Sequence, residues 1–470
     1  MKFLIVNGSP KGKYSTTLHT CLYLRKRHPE HEFSVLEAAR TIRSLEEDFS
    51  VARAELNAAD VIIFSYPVYT FLAPSQLHRF IELMKADLEA GALSIEGKYA
   101  TQVTTSKHFY DVTAHEFVKR NCEDMGLAFV DGLSADMDDL LSEKGRAEAD
   151  GFFELLLWKI GMGYSDASIP AHPGSTVPVQ HADILSVTPV PRQNDSGLVS
   201  EGNGRKSVVV VTDWGEDDRQ LRAMVSHFKA RLPYECSIVN IRELHLKGGC
   251  MGCFNCASTG RCVYPDRFDE VLRERIQNHD AIVYAFKVRD HSMGSNFKMY
   301  DDRQFCNGHR TVTMGSPVGY IVDGCLSSEN NLRMMLEARA QVGGNFLAGI
   351  ADNENDPLGS IGRLASTLSY ALEHGLQQPS NFFGVGGMKI FRDLIYLMRG
   401  IMRADHAFFK AHGQYDFPQN KRMMSLKMYL AGWMMGSRKL RAKLGSKLND
   451  GMIKDYREAV ERAEPKILSR

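Results

Sequence analysis

Lys2-Phe3-Leu4-Ile5-Val6-Asn7-Gly8-Ser9-Pro10-Lys11-Gly12-Lys13-Tyr14-Ser15-Thr16-Thr17 decides the fold. Lys2 to Val6 runs apolar without alternation, the pattern of a buried parallel strand. Leu18 to Arg27 reads as an amphipathic helix. The stretch is therefore strand, polar loop, helix start. A helix N-terminus leaves backbone N–H groups unpaired and carries partial positive charge, which suits a phosphate. Gly8 and Gly12 let the backbone come close. Ser9, Ser15, Thr16 and Thr17 offer hydroxyls, and Lys11 and Lys13 offer charge. The glycine spacing matches neither the dinucleotide fingerprint nor a Walker loop. The plainer alternative is an ordinary turn capped by Ser15, Thr16 or Thr17.

Working outward, Glu32 to Leu36 reads as a second strand and Ile42 to Leu56 as a helix. Val61 to Ser65 is a third strand, which runs into the aromatic loop Tyr66 to Phe71. Pro74 opens a helix to about Ala90. Tyr99 to Thr104 is a strand ending at Thr105-Ser106, Val112 to Met125 a helix, and Leu127 to Val130 a fifth strand. A helix closes the unit near Ile160. Apolar strands alternating with helices predict an α/β fold with a doubly wound parallel sheet. Such sheets bind ligands at the carboxyl ends of their strands. The loops meeting there are Gly8 to Thr17, Tyr66 to Phe71 and Thr104 to Tyr110. Phosphate donors beside flat aromatic faces suit flavin mononucleotide.

Gly8-Ser9-Pro10-Lys11 with Ser15-Thr16-Thr17, then Pro67-Val68-Tyr69, resemble the flavodoxin-like NAD(P)H-dependent FMN reductase and quinone reductase group. The resemblance covers about residues 1–160. It implies that Ser9, Lys11, Ser15, Thr16 and Thr17 hold the FMN phosphate. It places Pro67, Val68, Tyr69 and Phe71 beside the isoalloxazine ring, with Thr105, Ser106 and Tyr110 approaching from the third loop.

Residues 161–205 lose periodicity and read as a linker rich in Pro, Ser, Gly and Asp. The pattern then restarts, with strands at Ser207 to Val211, Cys236 to Ile241, Ala281 to Phe286, Val318 to Val322 and Asn345 to Ile350. This predicts a second flavodoxin-like unit over 206–377. First strands match at an offset of about 205 and later strands at about 219, so a segment is inserted between the second and third strands. Pro74-Ser75 aligns with Gly294-Ser295. The insertion carries Cys250, Cys253, Cys256 and Cys262, spaced Cys-x2-Cys-x2-Cys-x5-Cys. Tight thiolate spacing suits an iron–sulfur cluster; zinc more often takes two separated pairs. The stretch resembles the compact motif of the iron–sulfur flavoprotein family, continuing through Asp266 and Phe297 to Arg303. A [4Fe–4S] cluster, free or redox-active thiols, and zinc all stay open, because related reductases keep such cysteines without a cluster. Cys306 and Cys325 read as structural thiols. The second unit's first loop, Thr212 to Asp218, holds four acidic residues that would repel a phosphate. The expected division of labour is flavin on the first unit and cysteines on the second.

Lys plus Arg and Asp plus Glu both total 57, so net charge gives no sign of nucleic acid binding. No apolar run is long enough for a transmembrane helix. Nine cysteines, four of them crowded together, favour reduced cytoplasmic thiols or a metal site over disulfides. Residues 378–470 read as a basic helical extension: a hinge at Phe382 to Gly387, then helices at Met388 to Phe409, Arg422 to Trp433 and Ser437 to Lys447. The extension suits a helical cover over the second sheet or active site, or a membrane-surface contact. No catalytic triad or carboxylate pair is evident. Asp405-His406 forms no recognisable acid–base pair, and no arginine cluster separates NADH from NADPH.

The resulting expectation is an FMN-dependent NAD(P)H oxidoreductase acting on a quinone-like or other conjugated small acceptor. The alternatives are an iron–sulfur electron carrier serving a partner such as ferredoxin, and a redox-sensing or membrane-associated scaffold. Because members of such families associate, a homo-oligomer or an internal pseudo-dimer of the two halves is expected.

Overall fold

The structure is a computed structural model that describes residues 1–166, 183–189, 206–377 and 381–435. In the first repeat the strands are β1 (Lys2–Asn7), β2 (Glu32–Leu36), β3 (Val61–Pro67), β4 (Tyr99–Ser106), β5 (Ala128–Phe129) and β6 (Leu133–Asp136). All pair in parallel, in the order β2-β1-β3-β4-β5, with β6 also on β4. The order reverses between β1 and β3, which opens the crevice where the first and second loops meet. Strand β1 is buried on both faces. Leu4 and Val6 join one core with Leu77, while Phe3 and Ile5 join another with Leu18, Leu24 and Phe153. That double burial explains its unbroken apolar run.

The helices are α1 (Thr16–Arg27), α2 (Ile42–Glu47), α3 (Ser50–Ala58), α4 (Ser75–Glu89), α5 (Asp111–Asp124) and α6 (Glu143–Met162). The helix expected over Ile42 to Leu56 is thus two. Asp48 is extended, and its carboxylate accepts the Ser50 amide at 2.9 Å, restarting the chain as a new helix. The expected fifth strand is shortened to β5, and β6 follows it as a further strand on β4. Gly132 passes so close to β4 that a Cβ would lie 2.1 Å from the Gln102 carbonyl oxygen.

The second repeat has β7 (Ser207–Thr212), α7 (Arg219–Arg231), β8 (Glu235–Asn240), α8 (Asn255–Thr259), α9 (Phe268–Val271), β9 (Ala281–Lys287), α10 (Gly294–Arg303), β10 (Pro317–Asp323), α11 (Asn330–Gly343), β11 (Phe346–Asp352) and α12 (Pro357–His374). Its sheet runs β8-β7-β9-β10-β11, the same order as the first. Both sheets are flavodoxin-like. The cysteine insertion lies between β8 and β9.

The two repeats meet through α4 and α10, and their contacts are reciprocal. The Ser75 amide donates to Asp302 Oδ2 at 2.8 Å, and the Ser295 amide to Glu82 Oε1 at 2.7 Å. Each helix start is therefore capped by a carboxylate about two turns C-terminal to the matching start on the other helix. The loops after β3 and β9 share a conformation. Tyr69 and Leu72 exchange backbone hydrogen bonds, as do Arg289 and Ser292, and both loops carry two non-glycine residues at positive φ: Thr70 with Phe71, and Asp290 with His291. His291 ties the repeats together, its Nε2 on Asp124 at 2.8 Å and its Nδ1 on Glu329 at 3.0 Å.

After α12 come α13 (Phe382–Leu397), α14 (Arg403–Ala411) and α15 (Arg422–Met435). Phe382 to Gly387 is not a hinge but the first turns of α13. Asn381 caps the Gly384 amide at 3.2 Å. Gly384 and Gly387 leave room for the Gln341 carbonyl and the Phe109 ring, where a Cβ would lie 2.9 Å from each. The expected long helix from Met388 breaks at 398–402. The helix expected at Ser437 to Lys447, and most of the linker, lie outside the described residues. Residues 1–408 form one unit, and a second begins at Phe409. Among the described residues no helix is long and apolar enough to cross a membrane.

Candidate active site

The first loop leaves β1 at Asn7. Its side chain accepts the Ser9 amide at 3.2 Å, and the Gly8 amide reaches across to the Ser65 carbonyl at 2.8 Å. Gly12 has φ +53°, and a Cβ there would strike Arg40. Ser15 caps α1, accepting the Leu18 amide at 3.3 Å. The Thr16 and Thr17 amides open α1 and have no intrahelical carbonyl to reach. Thr17 Oγ1 is buried without a hydrogen-bond partner. Burial lowers the Lys11 pKa, with the thiols of Cys250 and Cys253 acting in the opposite direction.

The second loop holds Pro67, Val68, Tyr69 and Phe71. Lys298, fully buried on α10, donates to the Tyr69 carbonyl at 2.8 Å and to Asp302 at 2.5 Å, fixing this loop from the other repeat. Burial pushes the Tyr69 phenol well up, and its hydroxyl has no hydrogen-bond partner. On the third loop Thr105 Oγ1 is likewise buried and unpartnered, and Ser106 Oγ accepts the His108 amide at 2.8 Å.

One cavity of about 410 Å³ gathers these groups. Ser9, Lys11, Ser15, Thr16, Pro67, Val68, Tyr69, Phe71, Thr105 and Ser106 line it, as do all four cysteines of the second repeat. Two expected residues stand back. Thr17 is buried behind the loop, and Tyr110 packs on Phe71 and donates to the Phe383 carbonyl at 2.8 Å. The buried, unpartnered oxygens of Thr105 and Tyr69 and the open helix start are the chemistry a flavin phosphate and ring edge call for. The residues present fit FMN.

The cysteine loop presses directly on the flavin loops. A Cβ on Gly252 would lie 2.0 Å from the Tyr69 hydroxyl oxygen and 3.1 Å from Lys11 Cε. The Lys11 ammonium sits 5.0 Å from the centre of the Phe254 ring. Cys250 Sγ accepts the Gly252 amide at 3.4 Å. Burial raises the Cys250 thiol and takes Cys256 to about 11. Among the described residues no three His, Cys, Asp or Glu side chains converge as a metal-holding group. Of the two other singled-out cysteines, Cys306 is buried and Cys325 is half-buried.

The second repeat's first loop is occupied by its own acids. Asp218 Oδ2 accepts the Gly215 amide at 2.7 Å and pairs with Arg289. Burial pushes the Asp213 carboxyl up to about 6, against the pull of Arg242 and Arg289.

Sequence reasoning missed the far wall. Phe391 on α13 stacks on Phe109 at 4.3 Å and meets His309 edge-on at 4.8 Å. His309 neighbours Phe305, which meets Tyr69 at 6.1 Å. Asp405 on α14, fully buried, accepts the His309 amide at 3.1 Å and faces its Nδ1 at 3.0 Å. A Cβ on Gly308 would lie 2.1 Å from that carboxylate, so glycine is required there. Asp405 faces His309 and Arg310. Nothing local in the sequence signals a pairing across 96 positions.

A family model described as flavodoxin-like fold matches residues 1–123. The first repeat is flavodoxin-like by both tests. Among solved structures, the general stress protein 14 of Treponema denticola, in complex with FMN, is 13% identical over 34% of this chain and 99% of its own, with a TM-score of 0.27. The flavoenzyme NAD(P)H:(acceptor) oxidoreductase of Paracoccus denitrificans is 15% identical over 33% of this chain and 97% of its own, with a TM-score of 0.27. An FMN-dependent NADH-azoreductase of Bacillus anthracis in complex with FMN is 12% identical over 33% and 98%, with a TM-score of 0.25. No curated protein matches.

Proposed function

We propose that this chain is an FMN-dependent NAD(P)H oxidoreductase that passes electrons to a small conjugated acceptor such as a quinone. One observation carries the reading: a single cavity joins an amide-and-hydroxyl cradle to aromatic walls at the switch point of the first sheet. FMN, when bound, takes up and gives back an electron pair as hydride. Ser9, Lys11, Ser15, Thr16 and Thr17 would hold its phosphate, the last through its backbone amide at the start of α1. Pro67, Val68, Tyr69 and Phe71 would flank the ring, with Thr105 and Ser106 at its edge. Phe305, Phe391 and Phe109 keep water from a flat acceptor. Asp405 accepts the His309 amide and faces its Nδ1, which fixes the imidazole at the cavity wall. The reciprocal α4–α10 contacts support reading the repeats as an internal pseudo-dimer with one flavin site.

The four thiols on the cavity wall favour a second reading, an electron carrier with a [4Fe–4S] centre serving a protein such as ferredoxin. The anaerobic absorption spectrum, with flavin and iron assayed per chain, separates the two. One flavin per chain, bleached by NADH or NADPH, supports the oxidoreductase. Flavin with about four irons, bleached only by reduced ferredoxin, supports the carrier. Absence of flavin overturns both.

A further inference from the structure

A second concavity of about 440 Å³ adjoins the candidate active site, and Gln277, Asn307 and Arg310 line both. Its walls carry three guanidiniums, those of Arg261, Arg273 and Arg310. Arg310 is anchored by its own loop, donating to the Asn307 and Cys306 carbonyls at 2.5 and 3.2 Å. Arg273 donates to the Gly260 carbonyl. Gly260, at φ +76°, brings the two together: a Cβ there would lie 3.3 Å from Arg310 Nη1. A fourth cation, Arg403, lies alongside with its Nη2 on Ser258 at 3.4 Å.

The acids nearby do not balance this charge. Asp405 lies 3.4 Å from Arg310 and Asp269 3.7 Å from Arg273. Arg261 has no acidic partner among the described residues. Clustered like charges repel unless an anion joins them. Guanidinium forks held by backbone carbonyls lose little freedom when they bind, and their geometry matches phosphate oxygens. A phosphomonoester carries close to two negative charges at neutral pH, which suits this surplus better than a carboxylate or a diester does.

We infer that this pocket takes the 2′-phosphate of NADPH and so makes NADPH, not NADH, the electron donor. The inference rests on the oxidoreductase reading and deepens it. Its support is the shared wall: a donor whose nicotinamide enters the flavin cavity has its anionic end in an adjoining space.

The test is calorimetric titration of the full chain with 2′,5′-ADP, 5′-AMP and inorganic phosphate, with flavin bleaching by NADPH and NADH measured alongside. The expected result is 2′,5′-ADP binding about tenfold or more tighter than 5′-AMP and being displaced by NADPH. Arg261→Gln, at an exposed position, should weaken 2′,5′-ADP about fivefold, and Arg261→Gln with Arg273→Gln further, while 5′-AMP binding stays the same. Equal affinity for the two nucleotides overturns the assignment, as does an unchanged affinity in both variants. Inorganic phosphate binding as tightly as 2′,5′-ADP overturns it too, marking a free-phosphate site. Equal bleaching by NADH and NADPH would sink this inference alone. No bleaching by either would sink the oxidoreductase reading itself.

Discussion

Asp213 occupies the position in the second repeat that Gly8 holds in the first, directly after the first strand. Its carboxyl, buried and raised to about 6, is a residue the fold tolerates at some cost. Its native pKa lies above the ordinary carboxylate value of about 3.9. Native stability is therefore highest when Asp213 is protonated and falls as pH rises from about 4 to 6. Asp213→Asn should raise stability at pH 7.5 by about 1–3 kcal/mol and change nothing at pH 4, read from urea unfolding at both values. The sequence showed that this loop is acidic. It could not show which acids are buried, because burial follows from packing across β9 and α10. Most of the flavin-loop residues were legible because strand, loop and helix start are contiguous in the chain. His309 and Asp405 were not, since only the tertiary fold brings α14 to Gly308.

At the scale of elements, the α4–α10 joint and His291 carry the contact between repeats. Desolvation lowers the His291 imidazole, but hydrogen bonds to Asp124 and Glu329 outweigh it and lift it to about 9. The native pKa exceeds the ordinary value of about 6.5. Its contribution is therefore complete below about pH 6.5 and is lost as pH climbs through about 9. Between pH 6 and 9.5 the protein should lose about 2 kcal/mol of unfolding free energy from this group. His291→Gln should flatten that dependence in urea titrations; a slope as steep as the parent's would contradict the linkage. Element positions were largely visible from apolar periodicity. Their ends were decided by groups that periodicity does not weigh: the Asp48 side chain between α2 and α3, the close approach of Gly132 to β4, and the glycines of α13 that seat it on Phe109 and Gln341.

At the scale of the molecule, the repeat that lacks the cysteine motif is served by the repeat that has it. The cysteine loop lies against Tyr69 and Lys11, and Gly252 is the point of closest approach. Gly252→Val should push the loop off and weaken flavin retention about tenfold, by fluorescence of released flavin, although residue 252 is in the other repeat. Cys253→Ser, at an exposed thiol, should leave retention unchanged. The tandem organisation was legible from the repeated strand pattern. That the insertion closes over the opposite repeat was not, because an offset in sequence gives no direction in space.

The reciprocal caps of Ser75 by Asp302 and Ser295 by Glu82 have a genetic meaning as well as a mechanical one. In a complex of two identical chains, one codon change alters both ends of such a joint at once, and dilution can part the halves. Here each end has its own codon, and the tether keeps the local concentration of one half about the other high whatever the protein concentration. One cap can be altered while the other holds. The first half can keep a phosphate loop while the second fills the same place with acids, and selection can act on the two faces of the joint one at a time.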